Sequence, residues 1–222
     1  MLPNNPSNRG HRLGHVVSAG RCWSPAELRQ FLVEVSDERD YPLWRLAACT
    51  GMRRGELLGL RWSDLDFDRA TLVVVRQLVR NGAVVELVSP KTPAGRRTVF
   101  IDPVTLAALS AYRASELEAR SAVGIGPDLV FCTVKGRPRD PDSVTHQFIA
   151  RGVRAGLPRI RLHDLRHTHA TIALQAQINP KVVQERLGHA SVRVTLDTYT
   201  HVLQPMHRDA ANRIAGLIDG TA

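Results

Sequence analysis

Apolar positions first recur at helical spacing from Pro25 onward. Leu28, Phe31 and Leu32 share one face behind Ser24-Pro25-Ala26-Glu27, a capping box with Ser as N-cap and Pro at the first helical position. The preceding residues 1–21 are rich in Asn, Pro, Gly and Arg without any period, which predicts a flexible tail or interdomain linker. A second helix over residues 42–50 ends at Gly51, a residue that tolerates the left-handed turn, and a third, short one carries Glu56, Leu57 and Leu60. The period then changes from helical to alternating. Residues 71–80 and 83–89 are β-branched runs separated by Asn81-Gly82, a strong hairpin signal, and residues 97–101 follow a turn at Pro93-Ala94-Gly95. These three strands predict a small antiparallel sheet with Lys91 near its second turn.

The remainder is helical. Asp102-Pro103 opens a helix to about residue 122, and Asp140-Pro141 opens another that ends before Gly156. Further helices are expected over residues 163–177, from Asn179-Pro180 to Gly188, and from the N-cap Ser191 through Tyr199. After Pro205, Met206, Ala210, Ile214, Leu217 and Ile218 form an apolar stripe at helical spacing. There is no internal repeat. The pattern predicts a mainly α fold with a small three-stranded antiparallel sheet (α+β). One domain spans residues 22–203, and a helical tail spans 204–222.

Composition narrows the partner. The 222 residues suit one full domain, and 43% hydrophobic content is ordinary for a globular chain. Thirty Lys and Arg against 21 Asp and Glu leave a formal charge of +9, which favours a polyanion, nucleic acid before an anionic membrane surface. Cys22, Cys49 and Cys132 are odd in number and widely spaced, arguing against a disulfide framework or zinc knuckle and for a reducing compartment. No apolar run approaches the roughly 18 residues of a membrane span, and the first residues lack the apolar core of a signal peptide. The chain reads as cytoplasmic.

Four segments carry candidate chemistry. In Thr50-Gly51-Met52-Arg53-Arg54-Gly55-Glu56-Leu57, Arg53 sits just past a helix break, as a functional group or as a surface arginine in a helix–helix turn. In His163-Asp164-Leu165-Arg166-His167, helical spacing puts His163, Arg166 and His167 on one face, which suits a phosphate. His163 and His167 also have metal spacing, but Arg166 would put a fixed positive charge beside a dication, so no metal is expected. Leu187-Gly188-His189 exposes a histidine at a helix end, where it could equally be a cap. In Thr195-Leu196-Asp197-Thr198-Tyr199-Thr200-His201, a lone tyrosine usually packs with a wet hydroxyl. Arg137, Arg139, Arg151, Arg154, Arg159 and Arg161 flank the second motif and are expected to hold phosphates or face water.

Taken together, these segments resemble the tyrosine recombinase (phage-type integrase) family. The resemblance runs from about Trp23 to Leu203: T-G-M-R-R-G-E-L, a lysine in Pro90-Lys91-Thr92, H-D-L-R-H, L-G-H and T-L-D-T-Y-T-H, in family order. It implies a DNA breaking-rejoining catalytic fold and an enzyme that recombines DNA at specific sites without metal, ATP or other cofactor. By that resemblance Tyr199 is the nucleophile, and Arg53, Lys91, His163, Arg166 and His189 fill the remaining catalytic positions. Glu56 and His167 support them, and Arg53, Lys91 and Arg166 bind DNA. His169 stands where many relatives carry an aromatic residue.

The implied chemistry is coherent. Two permanently charged, bidentate guanidiniums can neutralise the non-bridging oxygens of an in-line transition state without a metal. A phenol with a pKa near 10 needs a base, and His163, expected near 6.5, can serve. Lys91 can protonate the leaving 5′ oxygen, giving a 3′-phosphotyrosyl intermediate that a second 5′ hydroxyl reverses. The resemblance further implies double-stranded DNA as partner and a homo-oligomer, a tetramer on DNA, assembled through the C-terminal helix. Two other readings are a type IB topoisomerase-like relaxation of one strand and a truncated integrase that only binds DNA. The family's usual N-terminal helical domain is more than 21 linker-like residues can supply. This chain is therefore expected to be an excised catalytic domain or the product of a truncated gene, and to bind DNA weakly and with steep salt dependence.

Overall fold

Ser24 caps the first helix in the way its sequence predicts: its hydroxyl accepts from the Glu27 N–H, and the Glu27 carboxylate accepts from the Ser24 N–H. The computed structural model describes residues 21–82, 84–90, 93–121 and 128–220; the side chains of residues 93, 120, 121 and 197–209 lie outside that description. Three helices open the chain: α1 (Pro25–Glu34), α2 (Tyr41–Thr50) and α3 (Arg54–Leu58). Five short strands follow: β1 (Leu65–Asp66), β2 (Thr71–Val74), β3 (Gln77–Asn81), β4 (Val84–Val88) and β5 (Arg97–Phe100). Five helices complete the chain: α4 (Pro103–Ser121), α5 (Pro141–Arg154), α6 (Leu162–Gln175), α7 (Pro180–Leu187) and α8 (Val192–Asp219).

A three-stranded antiparallel sheet is present, but its membership differs from the expected one. The order is β1-β2-β5, with Leu72 opposite Val99, whereas β3 and β4 form a separate two-stranded ribbon. The run 71–80 divides because Val75 and Arg76 leave the ladder between β2 and β3. The Asn81-Gly82 turn pairs β4 only with β3. The boundary expected near residue 204 falls inside one continuous helix, α8.

The main core forms where α1, α2 and α5 meet. Trp23, Phe31, Trp44 and Phe148 pack with ring centroids 5.2–6.4 Å apart. Burying each such side chain contributes about 1.5–3 kcal/mol relative to leaving it exposed. Trp23 also ties in residues 135 and 145 positions along the chain, its indole N–H donating to Pro158 O at 2.8 Å and its backbone N–H to Thr168 Oγ1 at 3.1 Å. A smaller cluster of Ala170, Ala173, Leu174, Val183 and Leu187 joins α6 to α7. Among the described residues, no helix is long and apolar enough to cross a membrane.

Of the flanking arginines expected to hold phosphates or face water, Arg139 and Arg151 are drawn into the core's rim. Arg139 is 8% exposed and its fork meets both oxygens of Asp40 at 2.8 Å. Arg151 pairs with Glu38, and Arg154 with Glu34 and Glu38, which fastens α5 to the end of α1. Arg161 pairs with Asp164 at the start of α6, while Arg137 and Arg159 are exposed.

Candidate active site

The site begins where two helices end against a third. Gly51 closes α2 in the left-handed conformation (φ 63°), and a Cβ there would lie 2.7 Å from Leu187 Cδ2 and 2.8 Å from His169 Cδ2. A side chain at this position would therefore be strained and would push α7 and α6 away from α2. The last carbonyls of α2 and α7 consequently converge, unpaired within their own helices. Arg166, on α6 and 4% exposed, satisfies both: Nη1 donates to Gly51 O at 2.8 Å and Nη2 to Leu187 O at 2.7 Å. A cation is also favoured at helix C-termini by the peptide dipoles.

Arg53 arrives at the same place from the other side. It precedes α3, and its Nη2 donates to Gly188 O at 3.3 Å, the carbonyl next to the one Arg166 uses. Two guanidiniums 113 positions apart in sequence thus address neighbouring carbonyls. Glu56, 3% exposed, accepts from Arg53 Nη1 and from the Arg53 N–H, both at 2.8 Å. Burial alone would raise the Glu56 pKa, but hydrogen bonding and charge from Arg97, then from Arg53, outweigh it and hold the carboxyl below its ordinary range. Glu56 is therefore ionised at neutral pH.

The histidines are neutral there. Burial, then His167 and Arg166, lower the His163 pKa. Burial and Arg166 likewise lower His167, against an opposing pull from Asp164. The two rings meet edge-on with centroids 5.1 Å apart. Burial first, then Arg166 and Arg53, lower His189 to about 4, and its Nδ1 lies 2.8 Å from Thr195 Oγ1 on α8. His169 is lowered to about 4 by burial, with Nδ1 2.9 Å from Ala48 O. A pocket of about 320 Å³ lined by Arg53, Arg54, Gly55, Thr145, Arg161, Leu162 and His163 opens beside these groups. Three of its seven lining residues are arginines, of which Arg54 pairs with Asp142 and Arg161 with Asp164. Among the described residues, no group of three or more His, Cys, Asp or Glu converges as a metal ion requires.

Of the residues predicted from sequence, the fold gathers Arg53, Glu56, His163, Arg166, His167 and His189. Tyr199 lies in α8, four positions past Thr195 and so on the same helical stripe as the residue that meets His189; its side chain is outside the described ones. Lys91 lies outside the described residues. Two residues escaped the sequence reading. Arg97 pairs with Glu56, its side chain 7% exposed, and Thr195 is fully buried against His189. The alternation of β5 carried a signal for the first, since Arg97 is in phase with buried Val99 and not with exposed Thr98 and Phe100.

A sequence model described as the phage integrase family matches residues 24–205. The chain is 30% identical to a protein named tyrosine recombinase XerC-like from Caldanaerobacter subterraneus subsp. tengcongensis, over 98% of this chain and 58% of that protein. It is 26% identical to the ICEBs1 integrase of Bacillus subtilis, over 98% of this chain and 60% of that one. The chain therefore spans less than two thirds of the length of these relatives. Among solved structures, the Tn1549 transposon integrase in complex with transposon right end DNA superposes with a TM-score of 0.73 at 26% identity, over 88% of this chain and 66% of that one. XerA recombinase superposes with a TM-score of 0.68 at 26% identity, over 96% of this chain and 66% of that one.

Proposed function

The chain belongs to the phage integrase family, and from that premise we propose that it is the catalytic part of a site-specific DNA recombinase. The observation that carries this reading is the junction at the end of α7. There Arg53 and Arg166 donate to the neighbouring carbonyls of Gly188 and Leu187 beside two histidines kept neutral by burial. A phosphodiester seated against the two guanidiniums has its non-bridging oxygens neutralised as the in-line transition state forms. Tyr199 attacks phosphorus, His163 takes the phenolic proton, and His189 and His167 support the charge and the proton path. Lys91 protonates the departing 5′ oxygen. The bond formed, a 3′-phosphotyrosine, replaces the bond broken, so a 5′ hydroxyl of another strand restores DNA without ATP. No metal takes part.

The partner is double-stranded DNA; the Tn1549 integrase holds transposon right end DNA in its own structure. The protein assembles on DNA as a tetramer. Support for a helical tail that docks on a neighbouring copy comes from the last turns of α8, where Ile214, Leu217 and Ile218 are 58%, 75% and 78% exposed. A helix folded back on its own core would cover that stripe.

Nicked duplexes of randomised sequence test the reading, because a nick lets the cleaved strand diffuse away and traps the covalent adduct. The wild-type chain is expected to give a protein–DNA species on a denaturing gel that resists EDTA and disappears in Tyr199→Phe. An adduct that requires Mg²⁺ or survives Tyr199→Phe overturns it. Relaxation of supercoiled plasmid without sequence preference would favour topoisomerase-like activity instead.

A further inference from the structure

Arg97 opens β5 and spends its guanidinium entirely inside the protein. Nη2 and Nη1 meet the two oxygens of Glu56 at 2.8 and 3.1 Å, Nε donates to Arg186 O at 2.6 Å, and Nη1 also reaches Gly95 O at 3.2 Å. Glu56 in turn holds Arg53 by its backbone N–H and by Nη1, and Arg53 Nη2 ends on Gly188 O. The contacts close a loop from β5 through α3 to the end of α7 and back to β5. A carboxylate with a single partner can rotate about its Cγ–Cδ bond and take that partner with it. A bidentate fork fixes its plane.

Charge leads to the same residue. Glu56 alone would cancel the charge of Arg53, whereas shared between Arg53 and Arg97 it leaves the trio with one net positive charge. We infer that Arg97 is a positioning residue. It fixes the Glu56 carboxylate, and through it the pose and the available charge of Arg53, while anchoring the chain just after Lys91 to the α7 terminus that Arg53 and Arg166 share. Its consequence for DNA cleavage rests on the recombinase reading given above.

Arg97→Lys keeps the charge and loses the fork. Two readouts on the whole chain test the inference. In the free protein, nitrogen-15 spectra of the Arg53 guanidinium should show distinct, slowly rotating Nη signals in wild type that coalesce in Arg97→Lys. On nicked DNA, single-turnover cleavage should slow about 100-fold, with DNA affinity and its salt dependence unchanged. Arg97→Lys should add little to the loss already caused by Arg53→Ala, because the two act as a unit. Unchanged Arg53 signals overturn the inference, and so does a full additive loss in the Arg53→Ala background. A wild-type chain that forms no adduct fails the recombinase reading alone, since the spectra still decide the role of Arg97. Should Arg97→Lys not fold, Arg97→Gln, which leaves Glu56 in place, is read in the same way, and the Arg53 signals should coalesce there too.

Discussion

Two groups of arginines are held firmly in this molecule, by different acceptors. On the rim of α5, Arg139, Arg151 and Arg154 meet the carboxylates of Asp40, Glu38 and Glu34, and each pair is close to neutral. At the α2–α6–α7 junction, Arg166 and Arg186 donate to backbone carbonyls, Arg166 to Gly51 and Leu187, Arg186 to Cys49. A carbonyl orients a guanidinium as well as a carboxylate does but carries no formal charge, so the cation's field is kept for a ligand. Sharing Glu56 between Arg53 and Arg97 achieves the same end with a carboxylate. The first arrangement neutralises its arginines, and the second leaves their charge uncancelled, as the proposed phosphate seat requires.

The sharpest way to break this comparison is to exchange function for stability in each group. Arg166→Ala should lower single-turnover cleavage at least about 1,000-fold, because Arg166 meets the Gly51 and Leu187 carbonyls and, in the proposed reading, also the phosphate. A loss under tenfold would place the anion seat elsewhere. Arg139→Ala should do the opposite. Breaking a buried, bidentate pair costs about 3 kcal/mol, which lowers the melting temperature by roughly 6–12 °C. Cleavage by the folded fraction at low temperature should be unchanged, and calorimetry beside the adduct assay separates the two effects.

A pH series gives the next largest change. His189 and His169 have folded pKa values of about 4 against an ordinary value near 6.5. A depressed folded pKa contributes stability that is present above the unfolded value and lost as pH falls toward the folded one. Lowering pH from 7 to 5.5 should therefore reduce the melting temperature by roughly 5 °C. His169→Phe should remove part of that dependence, and an unaltered slope in that variant would show that His169 takes no part. The smallest effect belongs to the exposed pair: Arg154→Ala should shift the melting temperature by less than about 3 °C and leave the salt dependence of DNA binding unchanged. A shallower salt slope would move Arg154 from the α5 rim to the DNA-facing surface.

Local pattern made most elements legible. Ser24, Asp140, Asn179 and Ser191 cap the helices they were expected to cap, and Gly51 and Gly188 end theirs in the left-handed conformation, because caps depend on residues three or four apart. The sheet was legible only in part. Alternation identifies a strand but not its partner, so the division of residues 71–80 between β2 and β3 followed from long-range pairing.

The candidate site divides in the same way. The spacing of His163, Arg166 and His167 on one helical turn was written in the chain, because a helix converts sequence distance directly into geometry. The choice of which arginines keep their charge was not. Arg166 stands out by its motif, but Arg139 is one flanking arginine among six and Arg97 shows only as the inward phase of a short strand. Only packing decided that one faces Asp40, another two carbonyls and the third Glu56, since acceptors contributed from 21 to 115 positions away have no local signature.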